Sequence, residues 1–186
     1  YTHFFFFFFL CVFFFFQKKK NKGFFFLPPP PPPPRRRLRI DQATDVDYLT
    51  VAHTHFAPTR DGLDIVSSRH VYINDIFVGG GGDDALVFKS DYSLGRVIDS
   101  YNTTVLNSNI STDGATALEV GSETVGNFSD FVFVNITICS AGDAGIGMAI
   151  MDGSHVRNFS YTDIFMTAIT SPVQLYIGAR RLITPS

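Results

Sequence analysis

The 186-residue sequence predicts an all-β solenoid of stacked parallel strands, and three observations carry that expectation. Short apolar-alternating segments recur, each followed by a polar or glycine-rich corner and a second short β run. Four of them, at 70–76, 102–110, 131–138 and 158–164, share a texture. Their final isoleucines, Ile76, Ile110, Ile138 and Ile164, recur at a coil-like spacing that shortens along the chain. No long stretch reads as a helix. A β-sandwich is the competing all-β arrangement, but two or three short strands per repeat favour stacked coils. Inward Ile, Val and Phe would stack on the same position of the next coil, while Asn, Asp, Ser and Thr line the surface or close corners.

The segment 1–38 stands apart from this pattern. Residues 4–16 are an apolar, Phe-dominated run too short for a standard membrane span. The run lacks the basic start and small-residue cleavage site of a signal peptide. Lys18–Lys20, a second Phe run, seven prolines at 28–34 and Arg35–Arg37 follow. The succession reads as translated low-complexity nucleotide sequence; a hydrophobic anchor with a stiff proline spacer and a basic patch is the alternative. The folded domain is therefore assigned to 39–186. The chain opens on Tyr1 rather than Met, and neither end leaves much room for capping structure. The expected solenoid is accordingly partial.

Charge divides the same way. Residues 1–40 carry eight basic and no acidic side chains, and the remainder carries seven basic and seventeen acidic ones. The folded part, at about −10, is a poor partner for nucleic acid. Cys11 and Cys139 establish neither a disulfide nor a metal cluster. Five Asn-x-Ser/Thr sequons, at Asn102, Asn109, Asn127, Asn135 and Asn158, suggest secretion, although polar β repeats also produce such triplets. No membrane partner and a monomer are expected.

The chemistry gathers between Asp61-Gly62 and Gly82-Asp83-Asp84. The intervening residues read as one turn of the repeat, so a coil of that length returns the three carboxylates to neighbouring rungs on one face. Carboxyl groups so gathered can protonate a leaving group and activate water, since crowding separates their pKa values. Each aspartate taken singly is also an ordinary turn residue. Gly79–Gly82 lacks a following Lys-Ser/Thr and is no phosphate loop; it permits a tight corner. His53 and His55 lie two apart on a strand, a spacing that needs further ligands before it holds a metal. His70 and His155 precede comparable strands and read as corner residues.

Residues 56–165 resemble the polygalacturonase family of pectin-degrading glycoside hydrolases, whose members are right-handed parallel β-helices. Thr59-Arg60-Asp61-Gly62 resembles the family's Asn-Thr-Asp-Gly motif, and Gly82-Asp83-Asp84 matches its Gly/Gln-Asp-Asp motif. Ala85–Ser90, Gly121-Ser122-Glu123 and 156–161 fit its flanking and downstream patterns. The resemblance implies cofactor-free hydrolysis with inversion, Asp83 as general acid and Asp84 and Asp61 as general bases. It also implies a pectic polysaccharide or oligosaccharide as partner and an extracellular, secreted location. Two motifs depart from the family. Gly-His-Gly falls on Ala115-Thr116-Ala117, where a hydroxyl replaces the imidazole. Arg-Ile-Lys falls near 146–150, where both basic residues are missing, so plain polygalacturonate is a doubtful substrate. Thr116, Lys89, Arg60 and Glu123 are the candidate substrate-binding residues. Lys89 either contacts ligand or steadies a carboxylate, and Glu123 faces either the cleft or a corner. A carbohydrate-binding or structural β-helix without activity is the rival reading.

Overall fold

A computed structural model describes residues 38–41, 49–56, 60–93 and 95–180. Within them lie eleven strands: β1 (Leu38–Asp41), β2 (Leu49–Phe56), β3 (Leu63–Val66), β4 (Arg69–Val78), β5 (Leu86–Ser90), β6 (Ser100–Ile110), β7 (Leu118–Thr124), β8 (Phe128–Ile138), β9 (Ala144–Ile150), β10 (Val156–Met166) and β11 (Ser171–Ile177). The odd-numbered strands form a six-stranded sheet and the even-numbered ones a five-stranded sheet, each in chain order. Every neighbouring pair is parallel. The chain passes from one sheet to the other and back, which makes a right-handed parallel β-solenoid of about four turns. The low-complexity segment, Cys11 and Thr59 lie outside the described residues; Leu38 opens β1. Among the described residues no helix is long and apolar enough to cross a membrane.

Stacking fills the interior. Leu63, Leu86, Leu118 and Ile146 are register partners on successive rungs, as are Ile65, Phe88, Val120 and Met148. All but Met148 are buried. The facing sheet contributes an aromatic ladder: Phe131 stacks on Phe159 with centroids 4.6 Å apart, and Phe133 on Tyr161 at 4.8 Å. Both spacings match the distance between hydrogen-bonded strands, so a parallel register places like rings face over face. Phe88 meets Phe131 edge-on across the core at 5.2 Å.

The even-numbered strands are long because they bend without breaking their ladders. Each of β4, β6, β8 and β10 carries two residues at positive φ, five positions apart: His70 and Asp75, Asn102 and Asn107, Asp130 and Asn135, Asn158 and Asp163. All are Asn, Asp or His, the non-glycine types that best tolerate this region. The side chains form ladders along the corners. Asn107 Nδ2 donates to Asn74 Oδ1 and Asn135 Nδ2 to Asn107 Oδ1, both at 2.8 Å. Asn158 Nδ2 donates to Asp130 Oδ1 at 2.8 Å, and His70 Nδ1 pairs with Asn102 Nδ2 at 2.7 Å.

The register corrects two expectations. Ile76 aligns with Ser108, Ile136 and Ile164, whereas Ile110 aligns with Val78, Ile138 and Met166. The coil that follows Ile76 is therefore two positions shorter than the isoleucine spacing implies, and the coil that follows Ile138 is two positions longer. A two-position slip keeps every side chain on its own face, so hydrophobic alternation alone cannot detect it. His70 belongs to the column of Asn102, Asp130 and Asn158, while His155 lies before β10 and gives its backbone N–H to Asn127 Oδ1. The two histidines thus occupy different corners.

Candidate active site

The carboxylates lie where the chain enters the odd-numbered sheet. Backbone bonds extend the ladder past the strand ends: Gly62 N donates to Asp84 O at 2.8 Å, Ala85 N to Thr116 O at 3.1 Å and Ala117 N to Ala144 O at 2.9 Å. Continuing the strand register backwards, Asp61, Asp84 and Thr116 occupy one position on three successive rungs. Arg60, Asp83 and Ala115 occupy the position before it.

Glycine permits the close approach of these corners. A Cβ on Gly62 would stand 2.2 Å from Ala85 O, and one on Gly114 2.3 Å from the Gly82 backbone. These are backbone obstacles that no side-chain rotation relieves. Gly62, read in the sequence as part of a catalytic motif, thus has a packing role of its own, and Gly114 has one against the backbone of Gly82. Thr112, fully buried, directs its hydroxyl at the carbonyls of Gly81 and Asp83 and tethers the glycine corner to the next coil.

Each acid has a distinct environment. Asp61 is buried, and its Oδ2 accepts a hydrogen bond from Lys89 Nζ at 3.1 Å. The same ammonium lies 3.8 Å from buried Asp64 and 4.0 Å from Glu123. Burial alone would lower the Lys89 pKa; Asp64, Asp61 and Glu123 outweigh it and hold the amine above its ordinary value. Lys89 therefore has the carboxylate-steadying placement. Asp84 is half-buried and accepts the Thr116 N–H at 3.1 Å through Oδ1. Burial, with repulsion from Asp83 and Asp61, raises its pKa to about 6 against the opposing Thr116 N–H and Lys89. Asp83 is exposed, and its Oδ1 accepts the Asp84 N–H at 3.2 Å.

The remaining candidates divide. Thr116 is buried beside Asp84, and Arg60 is exposed at the corner. Glu123 lies farther along the face between Lys89 and Arg180, with Arg180 Nη1 at 3.9 Å. Arg180 is also held by Asp152, through Nε to Oδ1 at 2.9 Å, and by the Ser122 carbonyl. His53, by contrast, pairs with Asp75 at 2.6 Å, away from these acids in the register. Among the described residues no group of three or more His, Cys, Asp or Glu side chains is arranged to hold a metal ion. An open concavity of about 400 Å³, whose lining includes Asp99, Tyr101, Asp130, His155 and Arg157, contains none of Asp61, Asp83, Asp84 and Glu123.

Sequence reasoning passed over Asp64 and Glu119. Both project from the outer face of the odd-numbered sheet, in one register column with Val87 and Gly147. Glu119 is buried; its Oε1 accepts the Ala149 N–H at 3.1 Å. Burial first, then the Asp84 charge, pushes its pKa up to about 8 against hydrogen bonds from Thr116 and Ala149. The available signal was alignment of the corner tripeptides 82–84, 114–116 and 142–144, which sets the register of the strands that follow.

No protein-family model, curated protein or solved structure matches the chain. The class that the architecture defines is the parallel β-helix, a fold consistent with glycosidase-type β-helix enzymes in general.

Proposed function

We propose that the chain is a secreted, monomeric β-helix glycoside hydrolase acting on a pectic polysaccharide or oligosaccharide, with inversion and without a cofactor. The observation that carries this reading is the stacking of Asp61 and Asp84 on adjoining rungs, with Asp83 beside them. Their environments suit activation of water: Asp61 is bonded to an ammonium, and burial raises the Asp84 pKa to about 6, which makes it a stronger base that is still ionised at neutral pH. In this reading Asp83, exposed to solvent and substrate, protonates the glycosidic oxygen. Asp84 and Asp61 orient and deprotonate the attacking water. The sugar is not plain galacturonan, because Gly147 and Ala149 stand in the segment where cations would be expected.

Thr116 in the column favours a second reading, a carbohydrate-binding β-helix without turnover, because a hydroxyl cannot replace an imidazole in proton transfer. Reducing-end release from defined pectic oligosaccharides, with an Asp83→Asn control, separates the two. Hydrolysis predicts release that falls by about 100-fold or more in the control, with the anomeric configuration of the product inverted by NMR. Saturable binding with no release by the folded protein would establish the binding reading instead.

A further inference from the structure

The Asn-x-Ser/Thr triplets do not stand alike in the fold. Four of their asparagines are built into corner hydrogen bonds between rungs. The Nδ2 of Asn135 donates to Asn107 and that of Asn158 to Asp130, Asn102 pairs with His70, and Asn127 donates to Asp99 at 3.3 Å. Asn102, Asn135 and Asn158 also hold positive φ. Rungs repeat at about 4.8 Å, so a sugar on one of these nitrogens removes an N–H and forces bulk between side chains already in contact. Asn109 differs. It lies near the end of β6, exposed, and its amide enters no hydrogen bond among the described residues. A second observation lies beside it. The register places His55, Phe77, Asn109, Thr137 and Phe165 in one outward column on successive rungs. His55 packs edge-on against Phe77 from the preceding rung, at 4.3 Å between centroids. On the following rung Asn109 offers the ring no apolar cover, and Phe77 is 42% exposed.

We propose that Asn109 is an N-glycosylation site and that the first sugar of its glycan covers the Phe77 ring. The inference rests on reading the chain as secreted, because the donor is a lipid-linked oligosaccharyl diphosphate of the secretory pathway. In the transfer, Asn109 Nδ2 bonds to the anomeric carbon of the donor, and the bond from that carbon to the diphosphate oxygen breaks. The nitrogen gives up one proton and the lipid diphosphate leaves with the electron pair. Ser111 supplies the hydroxyl of the triplet. Transfer meets the nascent chain before the ladders exist, so the ladders select which modified chains reach the folded state. An attached N-acetylhexosamine presents an apolar face of ring C–H groups, and the neighbouring rung brings Phe77 within reach of it. The covalent tether makes that contact intramolecular, so weak stacking suffices to populate it.

The test expresses the full chain in eukaryotic cells, with and without an added cleavable leader, and maps the folded fraction by glycopeptide mass spectrometry. Behind the leader, occupancy of Asn109 should exceed that of Asn102, Asn127, Asn135 and Asn158 at least fivefold. Asn109→Gln and, separately, Ser111→Ala should abolish that glycan. Thermal unfolding reads the second half of the proposal: the unglycosylated Asn109→Gln chain should melt roughly 2–4 °C below the glycosylated parent. In a Phe77→Leu background, which keeps apolar bulk but removes the ring, that difference should shrink to about 1 °C or less. An unmodified Asn109 behind the leader, or a ladder asparagine occupied as often, would overturn the site. A melting difference that survives Phe77→Leu would overturn the cover over Phe77. Occupancy only behind the added leader sustains the site while telling against secretion by the chain's own sequence.

Discussion

Replacing Glu119 by Gln should make the protein more stable in alkaline solution, although it alters a buried, hydrogen-bonded residue. The folded state holds the Glu119 proton until about pH 8, against an ordinary value of 4.5. Between these values the folded chain binds more protons than the unfolded one, so stability falls as pH rises. The favourable contribution is complete below pH 4.5 and gone above about pH 8. At about 1.4 kcal/mol per pH unit, the window corresponds to roughly 5 kcal/mol. The glutamine retains an oxygen to accept the Ala149 N–H and carries no charge at any pH. Part of the penalty is Asp84 repulsion, which the variant also removes. Urea denaturation at about pH 4.5 and pH 9 checks the prediction: the variant's stability relative to the parent should rise by about 3–5 kcal/mol between the two. Parallel pH profiles would show that Glu119 is ionised in the folded protein throughout and that its burial has been misjudged.

Two further substitutions test the packing and the charge arrangement. Phe131→Ala removes a fully buried ring stacked on Phe159 and in edge contact with Phe88, and should cost about 3–5 kcal/mol in urea denaturation. A loss below about 1 kcal/mol would contradict a close-packed aromatic ladder. Lys89→Met leaves Asp61 and Asp64 buried without their common cation. It should cost about 3–5 kcal/mol at pH 7 and distinctly less at pH 4, where carboxyl groups protonate. A loss independent of pH would assign the lysine a packing role.

Much of the architecture was legible because solenoid strands advertise themselves through alternation, and alternation is preserved on every rung. The positive-φ corners were legible by residue type but not by position, since Asn, Asp and His are also abundant on open β surfaces. Register was the weak point. Ile76 and Ile110 look equivalent, yet they belong to adjacent columns, because a slip of two positions leaves alternation untouched. The stacking of Asp61 and Asp84 was accessible because glycine marks both corners. The register of Glu119 follows only from aligning the glycine corners that precede each strand, because hydrophobic spacing alone does not show that the step from Val87 to Glu119 is longer than the step from Glu119 to Gly147. Neither its burial nor its apposition to Gly147 has a local signature in the chain.

The two corners joining the sheets behave differently, and that difference bears on how such a solenoid can change. From the even-numbered sheet to the odd-numbered one the path varies by a single position: eight positions separate Val78 from Leu86, Ile110 from Leu118 and Ile138 from Ile146, and seven separate Phe56 from Leu63 and Met166 from Val173. The return path varies widely, with six positions from Leu63 to Arg69, fifteen from Leu86 to Tyr101 and eleven from Leu118 to Ser129. Asp61, Asp84 and Thr116 all sit on the less variable corner, where Gly62 and Gly114 admit no added bulk. Insertions and deletions are thereby channelled to the opposite rim. One rim of the solenoid is free to lengthen and acquire new contacts, while the spacing of the acids stays tied to the distance between strands.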